Sequence, residues 1–289
     1  MKIYQCCPYY NESLIAEINI KEASKWIDEF HITEGNLNFQ GQERNYIFNS
    51  GKEYDIVKYH KIDCKNKYKR NNLYGKISLW KNRFSSNDYI RNILTAPTWY
   101  NEAVQRNESC SKIIPEDDDI VILSDIDEII DSKYADKIIE EVKKRDIITI
   151  KLHFTLFYFN LFSDNWGGPK DYSYRVFIMT GKYFKNMSMS SDELRKLGEQ
   201  GKLYNDIYCI DEICGFHHSW LGDENFIFNK IKSYAHTEHS EYADIDYIKE
   251  CLKNKKSIFP GHNLSIRNDI NLIDTIEKNK NNIFKEYFI

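Results

Sequence analysis

The sequence predicts an α/β protein, with one mixed sheet flanked by helices and a helical C-terminal region. Three observations lead there. Short apolar runs alternate with helix-period stripes through the first half of the chain. The second half mixes aromatic, strand-like runs with loops. From Glu224 onward the apolar spacing is helical.

Taken in order, residues 3–7 read as a buried strand and 8–13 as the polar loop after it. Leu14, Ile15, Ile18, Ala23, Trp26 and Ile27 form one stripe, which predicts a helix over 14–27. Strands follow over 29–34 and 56–62. Residues 87–110 read as helix, broken near Pro97. An acidic loop, 116–119, precedes Ile120-Val121-Ile122-Leu123, a buried central strand. Asp131-Ser132 caps a helix running to about residue 144. Strands are expected over 146–161, over 172–179 and within 204–220. Helices are expected over 224–239, 243–253 and 271–281. No repeat or low-complexity linker interrupts the 289 residues, so a single domain is expected. The β-α alternation of its first half makes the sheet Rossmann-like.

Composition narrows the function classes. Hydrophobic residues make up 42% and charged residues 29%, values of a soluble globular chain. The net charge of −4 leaves no broad positive field, so nucleic acid is not an expected partner. Lys58, Lys61, Lys65, Lys67, Lys69 and Arg70 form a local basic run, read as a solvated loop or as an acceptor or phosphate contact. The 21 Tyr and 16 Phe suit stacking on sugar rings as well as packing a core. Seven cysteines, with no C-x-x-C pair, predict neither a disulfide framework nor zinc, and point to a reducing, cytoplasmic setting. Cys209 and Cys214 are spaced to meet across a turn. The N-terminus lacks the apolar run of a signal peptide, and no stretch approaches a membrane span. Peripheral contact is the remaining mode of membrane association.

The chemistry centres on Ser124-Asp125-Ile126-Asp127-Glu128. In an open α/β sheet, ligands bind outside the carboxyl ends of the central strands. Two carboxylates at i and i+2 there reach one site if the backbone turns between them. Oxygen ligands suit Mg²⁺ or Mn²⁺, which bridges to substrate phosphates. The bland alternative is that both acids cap a helix or line a loop; the apolar strand before them weighs against it. Glu128 adds a third acid, and such crowding favours a cation among them. Histidines cluster too: His217, His218, His236 and His239 lie within one short stretch, with Glu238 beside the last two. A lone histidine is more commonly a core or surface residue, but the cluster places at least one at the site. Asn11, Glu12 and Glu34 follow the first two strands, where a nucleotide-binding sheet meets base and ribose, although spacing alone would make them ordinary loop residues. The dinucleotide fingerprint G-x-G-x-x-G is absent.

Together these residues resemble glycosyltransferase family 17, over roughly residues 1–255. Four blocks carry the resemblance: Asn11-Glu12 with Leu14 and Ile18; Glu34-Gly35-Asn36 with Gly41; Ile122 to Ile129; and Gly215-Phe216-His217-His218-Ser219-Trp220 with Lys230, Ser233, Ala235 and His236. Ile130 stands where the family has Pro. The resemblance implies a GT-A fold, a UDP-sugar donor (UDP-GlcNAc in eukaryotic members) and inversion at the anomeric carbon. It divides residues 1–289 into a nucleotide-binding half, 1–145, and an acceptor-side half with the C-terminal helices, 146–289.

The expected reaction is an in-line displacement onto a hydroxyl of a glycan acceptor. Asp127 is expected to bind Mn²⁺ or Mg²⁺ directly, and Asp125 to contact metal, ribose or donor sugar. His217 or His236 is expected to complete the metal or phosphate shell, and Arg175 and Lys230 to face the leaving group. Glu224, Asp223 and Glu238 are the candidate general bases. Trp166 is a candidate acceptor platform or a turn residue. Two rivals stand beside this reading. One is a haloacid-dehalogenase-type phosphotransferase with Asp125 as nucleophile. The other is a non-catalytic, aromatic glycan-binding module.

Overall fold

The computed structural model describes residues 1–164, 174–203 and 205–289. Trp166 and the Gly167-Gly168 pair after it lie outside the described residues. Four strands, β1 (Ile3–Tyr9), β2 (Glu29–Gly35), β3 (Val57–Ile62) and β4 (Ile120–Leu123), run parallel in the order β3-β2-β1-β4. The next strands are β5 (Glu128–Ile130), β6 (Ile147–Leu156), β7 (Leu161–Ser163), β8 (Phe177–Thr180), β9 (Tyr208–Ser219) and β10 (Leu264–Ile266). β8 joins β4 antiparallel and β6 joins β8 antiparallel. β9 runs parallel to β6, and β5 pairs antiparallel with β9. The mixed sheet is therefore parallel on one side and mixed on the other.

Helices cover both faces. In chain order they are α1 (Ser13–Ala23), α2 (Leu73–Leu79), α3 (Asp88–Asn92), α4 (Pro97–Cys110), α5 (Ala135–Arg145), α6 (Gly181–Asn186), α7 (Ser191–Glu199), α8 (Glu224–Ser233), α9 (Ile245–Asn254) and α10 (Asp274–Glu277). The period-2 alternation of β1 explains the layering. Ile3, Cys7 and Tyr9 pack with Ala16 and Ile20 of α1, while Tyr4 and Cys6 pack with Cys110 of α4. Both sides of β1 and β4 are thus buried, which accounts for the uninterrupted apolar run Ile120–Leu123.

The differences from the expected elements have local causes. Pro97 does not break a helix; it opens α4 at its first turn, where no N–H partner is needed, and the break lies before it. The helix over 14–27 stops at Ala23, and the Ser24 hydroxyl bonds back to the Lys21 carbonyl (2.9 Å). The helix over 224–239 stops at Ser233, whose hydroxyl bonds to the Asn229 carbonyl (2.7 Å), and Tyr234 is extended. Residues 271–281 form only the single turn of α10. The helices α6 and α7 fill a stretch for which no element was expected. Within 204–220 one long strand forms, carrying both Cys209 and Cys214; these and the other five cysteines are free. Among the described residues no helix is long and apolar enough to cross a membrane.

Candidate functional site

β1 and β4 are neighbours from which the chain proceeds in opposite directions along the sheet, β1 to β2 on one flank and β4 towards β6 on the other, so a crevice opens where they end. Beyond β4 the turn 124–127 is pinned from below. The Asn19 amide, buried in α1, donates to the carbonyls of Ile126 (2.9 Å) and Glu128 (3.2 Å). The Asp125 N–H donates to Glu128 Oε2 (2.8 Å), and Gln5 Nε2 donates to Ser124 Oγ (3.1 Å). The fully buried third acid, Glu128, is thus a brace for the motif.

β5 leaves this turn and pairs with β9, setting Glu128 opposite His217. Asp127 Oδ2 then lies 3.3 Å from His217 Nε2 and 3.9 Å from Lys230 Nζ. Lys230, in α8, also pairs with Glu12 at 3.0 Å and lies over the Trp220 ring. Gly215 makes the strand pairing possible, since a Cβ there would collide with the Ile129 carbonyl oxygen.

Asp125 has a different environment. Arg106 of α4 grips it with two bonds, Nε to Oδ1 and Nη2 to Oδ2, both 3.1 Å. Arg195 of α7 adds a contact at 2.8 Å. Arg106 continues to Asp192 and to Glu102 (3.3 Å), and Arg195 to Glu128 (2.9 Å) and Glu199 (3.3 Å). Arg175 holds Glu199 at 3.0 Å, and Lys196 bridges Glu102 (3.3 Å) and Glu199 (3.5 Å). Burial by itself would raise the carboxyls of Asp125, Asp127, Glu102 and Glu199, but the cations outweigh it. Arg106 and Arg195 hold Asp125 below the usual range, His217 and Lys230 hold Asp127 well below it, Lys196 and Arg106 lower Glu102, and Lys196 and Arg175 lower Glu199. All four stay ionised at neutral pH.

Two cavities meet over the motif. The larger, about 460 Å³, is lined by Glu102, Asp125, Asp127 and Glu199, by Arg106, Arg175, Arg195 and Lys196, and by an aromatic and histidine wall of Phe154, His217, Trp220, Tyr234, His236, His239, Phe259 and His262. The smaller, about 120 Å³, shares Glu102, Arg106, Asp125 and Asp127 and adds Tyr9, Tyr10, Glu12, Phe39 and Lys230. Of the sequence candidates, Asp125, Asp127, His217, Arg175, Lys230, His236 and Glu12 line these two cavities. Trp220 reaches the wall from a left-handed backbone position, φ 59°.

Other sequence candidates lie elsewhere. Asn11 and Asp223 line a separate cavity of about 260 Å³, and Asp223 caps α8 by accepting from the Phe226 N–H (2.8 Å). Glu224 sits in the first turn of α8, 3.7 Å from Lys249, and does not line the two cavities over the motif. Glu34 is fully buried; its oxygens accept from Arg44 (2.9 Å), the Tyr59 hydroxyl (2.7 Å) and the N–H groups of Ile47 and Phe48. That network shapes the loop after β2 and leaves Glu34 no oxygen facing either cavity. Glu238 stays beside the site through His236, whose Nδ1 lies 2.7 Å from its carboxylate.

The donor sets can be tested against a divalent cation. Asp127 Oδ2 and His217 Nε2 are spaced as two neighbouring ligands of one ion, and the carboxylate–imidazole pair fits Mn²⁺ better than Mg²⁺, which prefers oxygen alone. Asp125 does not fit as a direct ligand, because two guanidinium groups already engage both of its oxygens. Among the described residues, His236, Glu238 and His239 are the one trio whose ligand atoms all lie within 4.8 Å of one another. The two imidazoles are stacked, 23° from parallel at 5.5 Å, so their in-plane lone pairs do not meet at one point. They form a wall.

Sequence reasoning missed Glu102, Arg106, Arg195, Lys196 and Glu199. The available signal was the i,i+4 charge pairing of Glu102 with Arg106 and of Arg195 with Glu199, but such pairs usually mark a solvated helix face.

No protein-family model matches the chain, and no curated protein matches it. Among solved structures it is similar to one titled "Crystal structure of S. aureus TarS 1-349", with 13% identity, 95% of this chain and 99% of that chain covered, and a TM-score of 0.37.

Proposed function

We propose that this chain is an inverting GT-A glycosyltransferase that moves a sugar from a UDP-sugar donor, with UDP-GlcNAc the first candidate, to a hydroxyl of a glycan acceptor. The observation that carries this reading is the pinned Asp125–Asp127 turn at the β1/β4 switch point, opening onto a cavity lined by four carboxylates, the four guanidinium or ammonium groups paired with them, and aromatic rings. Cations suit a diphosphate, and rings suit a sugar face.

Asp127 and His217 would hold a divalent cation, which would supply neutralisation of the charge on a departing diphosphate. Asp125 acts through Arg106 and Arg195, fixing both guanidinium groups at the cavity wall. Lys230 and Arg175 place further positive charge at the leaving-group side. Of the three sequence-derived base candidates, Glu238 alone adjoins the larger cavity. Its carboxylate holds His236 Nδ1, leaving Nε2 to accept the proton of the attacking hydroxyl. His236 is itself set edge-on against Trp99, ring centroids 4.3 Å apart.

The two rivals fit the geometry less well. A phosphotransferase nucleophile needs a free oxygen, and Asp125 is engaged by two arginines. A glycan-binding module has no use for a buried ion-pair lattice beside an aspartate–histidine pair. Calorimetric titration with UDP, with and without Mn²⁺, tests the donor site. Saturable binding strengthened by Mn²⁺ in the wild type, with the Mn²⁺ effect lost in Asp127→Asn, is the expected result. Failure of UDP to bind under either condition would overturn the donor assignment.

A further inference from the structure

The segment from Lys65 to Phe84 stands apart from the rest of the molecule. It carries seven cations and no acid, in a chain whose net charge is −4. Asn72 caps α2 by accepting from the Gly75 N–H (3.0 Å), and the helix continues as a 3₁₀ turn over Trp80–Phe84. Its inner face is settled: Gly75 and Leu79 are buried, and a Cβ at Gly75 would collide with the Arg70 carbonyl oxygen. Its outer face is apolar and bare. Leu73, Tyr74, Ile77, Trp80 and Phe84 are 69%, 83%, 60%, 57% and 72% exposed, at the spacing of one helical stripe. Single exposed apolar residues are ordinary, but five large ones in one stripe mark a contact surface.

We infer that this stripe docks on an anionic lipid surface. Charge decides among possible occupants. Exposed Arg70, Lys76, Lys81 and Arg83 flank the stripe, and Lys76, Lys81 and Arg83 make no ion pair among the described residues. An apolar stripe with Trp and Phe, rimmed by Lys and Arg, is the composition of a helix lying in the plane of a bilayer interface. A second copy of this chain would bring the same positive rim against itself. The segment is also tied to the cavity wall. Just beyond it, Asn87 donates to Glu193 (3.0 Å) and the Tyr89 hydroxyl to Asp192 (2.9 Å), both in α7, the helix that carries Arg195. Docking therefore presents the cavity beside the lipid headgroups. The inference is independent of the transfer reaction, since lipid binding is read without nucleotide.

The test is co-sedimentation of the full chain with phosphatidylcholine vesicles, with or without phosphatidylglycerol. Binding to the anionic vesicles alone, weakened by salt, is expected. Trp80→Ser/Phe84→Ser and Lys81→Ala/Arg83→Ala should each weaken it roughly 30-fold. Both pairs are exposed, so thermal melting should stay unchanged and UDP binding should match wild type. Absence of binding to anionic vesicles, or binding indifferent to both variants, would overturn the inference. So would a concentration-dependent dimer abolished by Trp80→Ser/Phe84→Ser without vesicle binding, which would assign the stripe to a second copy.

Discussion

Asp125 and Asp127 are two residues apart and do different work. Asp125 is enclosed by Arg106 and Arg195, while Asp127 faces His217 and Lys230. Asp125→Ala removes one shared partner of two buried guanidinium groups that keep Asp192, Glu102, Glu128 and Glu199, and should lower stability by about 1–3 kcal/mol, measured by denaturant unfolding. His236→Ala should reduce kcat at least ~100-fold with little change in the donor KM, the signature of a lost proton acceptor. Glu238→Gln should reduce kcat less and displace the acid limb of its pH profile. His153 gives a pH test outside the site. Burial first, then Arg267 and Lys133, lowers its pKa to about 4, below the usual histidine value. Between about pH 6.5 and 4 the unfolded chain then binds a proton that the folded chain does not, so stability falls as pH drops. Discounted for partial exposure, the loss is about 1 kcal/mol by pH 5, and His153→Phe should flatten it. The acidic motif was legible because an apolar strand precedes it. Arg106 and Arg195 were not, because the partners that draw them to the motif, Asp125 and Asp192 for Arg106 and Asp125 and Glu128 for Arg195, are not their neighbours in the chain.

At the scale of elements, the parallel strands were legible from short apolar runs, and β4 falls where the sequence places it. α7 was missed because it is short and dense in charge. Its start does carry a readable signal, since Ser190 accepts from the Glu193 N–H (3.2 Å). Ser190→Ala should cost about 1 kcal/mol. The end of α8 was misjudged because a serine hydroxyl competing for helix carbonyls leaves no break in apolar spacing. That early stop matters, since it lets His236 and His239 face the cavity. The β5–β9 pairing depends on the close approach at Gly215. Gly215→Ala should lower stability by about 1–3 kcal/mol and shift the His217 ring resonances by NMR.

At the scale of the whole molecule, strand order β3-β2-β1-β4 with antiparallel β8 beyond it gathers the ends of β1 and β4, the face of α4 and Lys230 in the second half of α8 around one crevice. The β-α alternation of the first half was enough to predict the parallel part of the sheet and the end of it at which the two cavities over Asp125 and Asp127 open. The ion-pair lattice was not legible, because only tertiary packing brings the helical pairs Glu102–Arg106 and Arg195–Glu199 together with Asp125 and Glu128. The basic run noted in the sequence continues into an apolar stripe whose exposure appears only once α2 is docked on the body.

The central claim is glycosyl transfer from a UDP-sugar, and release of UDP from a panel of UDP-sugars tests it most directly. Assays would carry Mn²⁺ with or without EDTA, alongside Asp127→Ala. The account predicts slow hydrolysis of one donor, UDP-GlcNAc first among them, lost with EDTA and reduced at least ~100-fold in Asp127→Ala. UDP release from every donor that is equal in wild type and Asp127→Ala, or absent from all of them despite a folded protein and an acceptor glycan mixture, would contradict it.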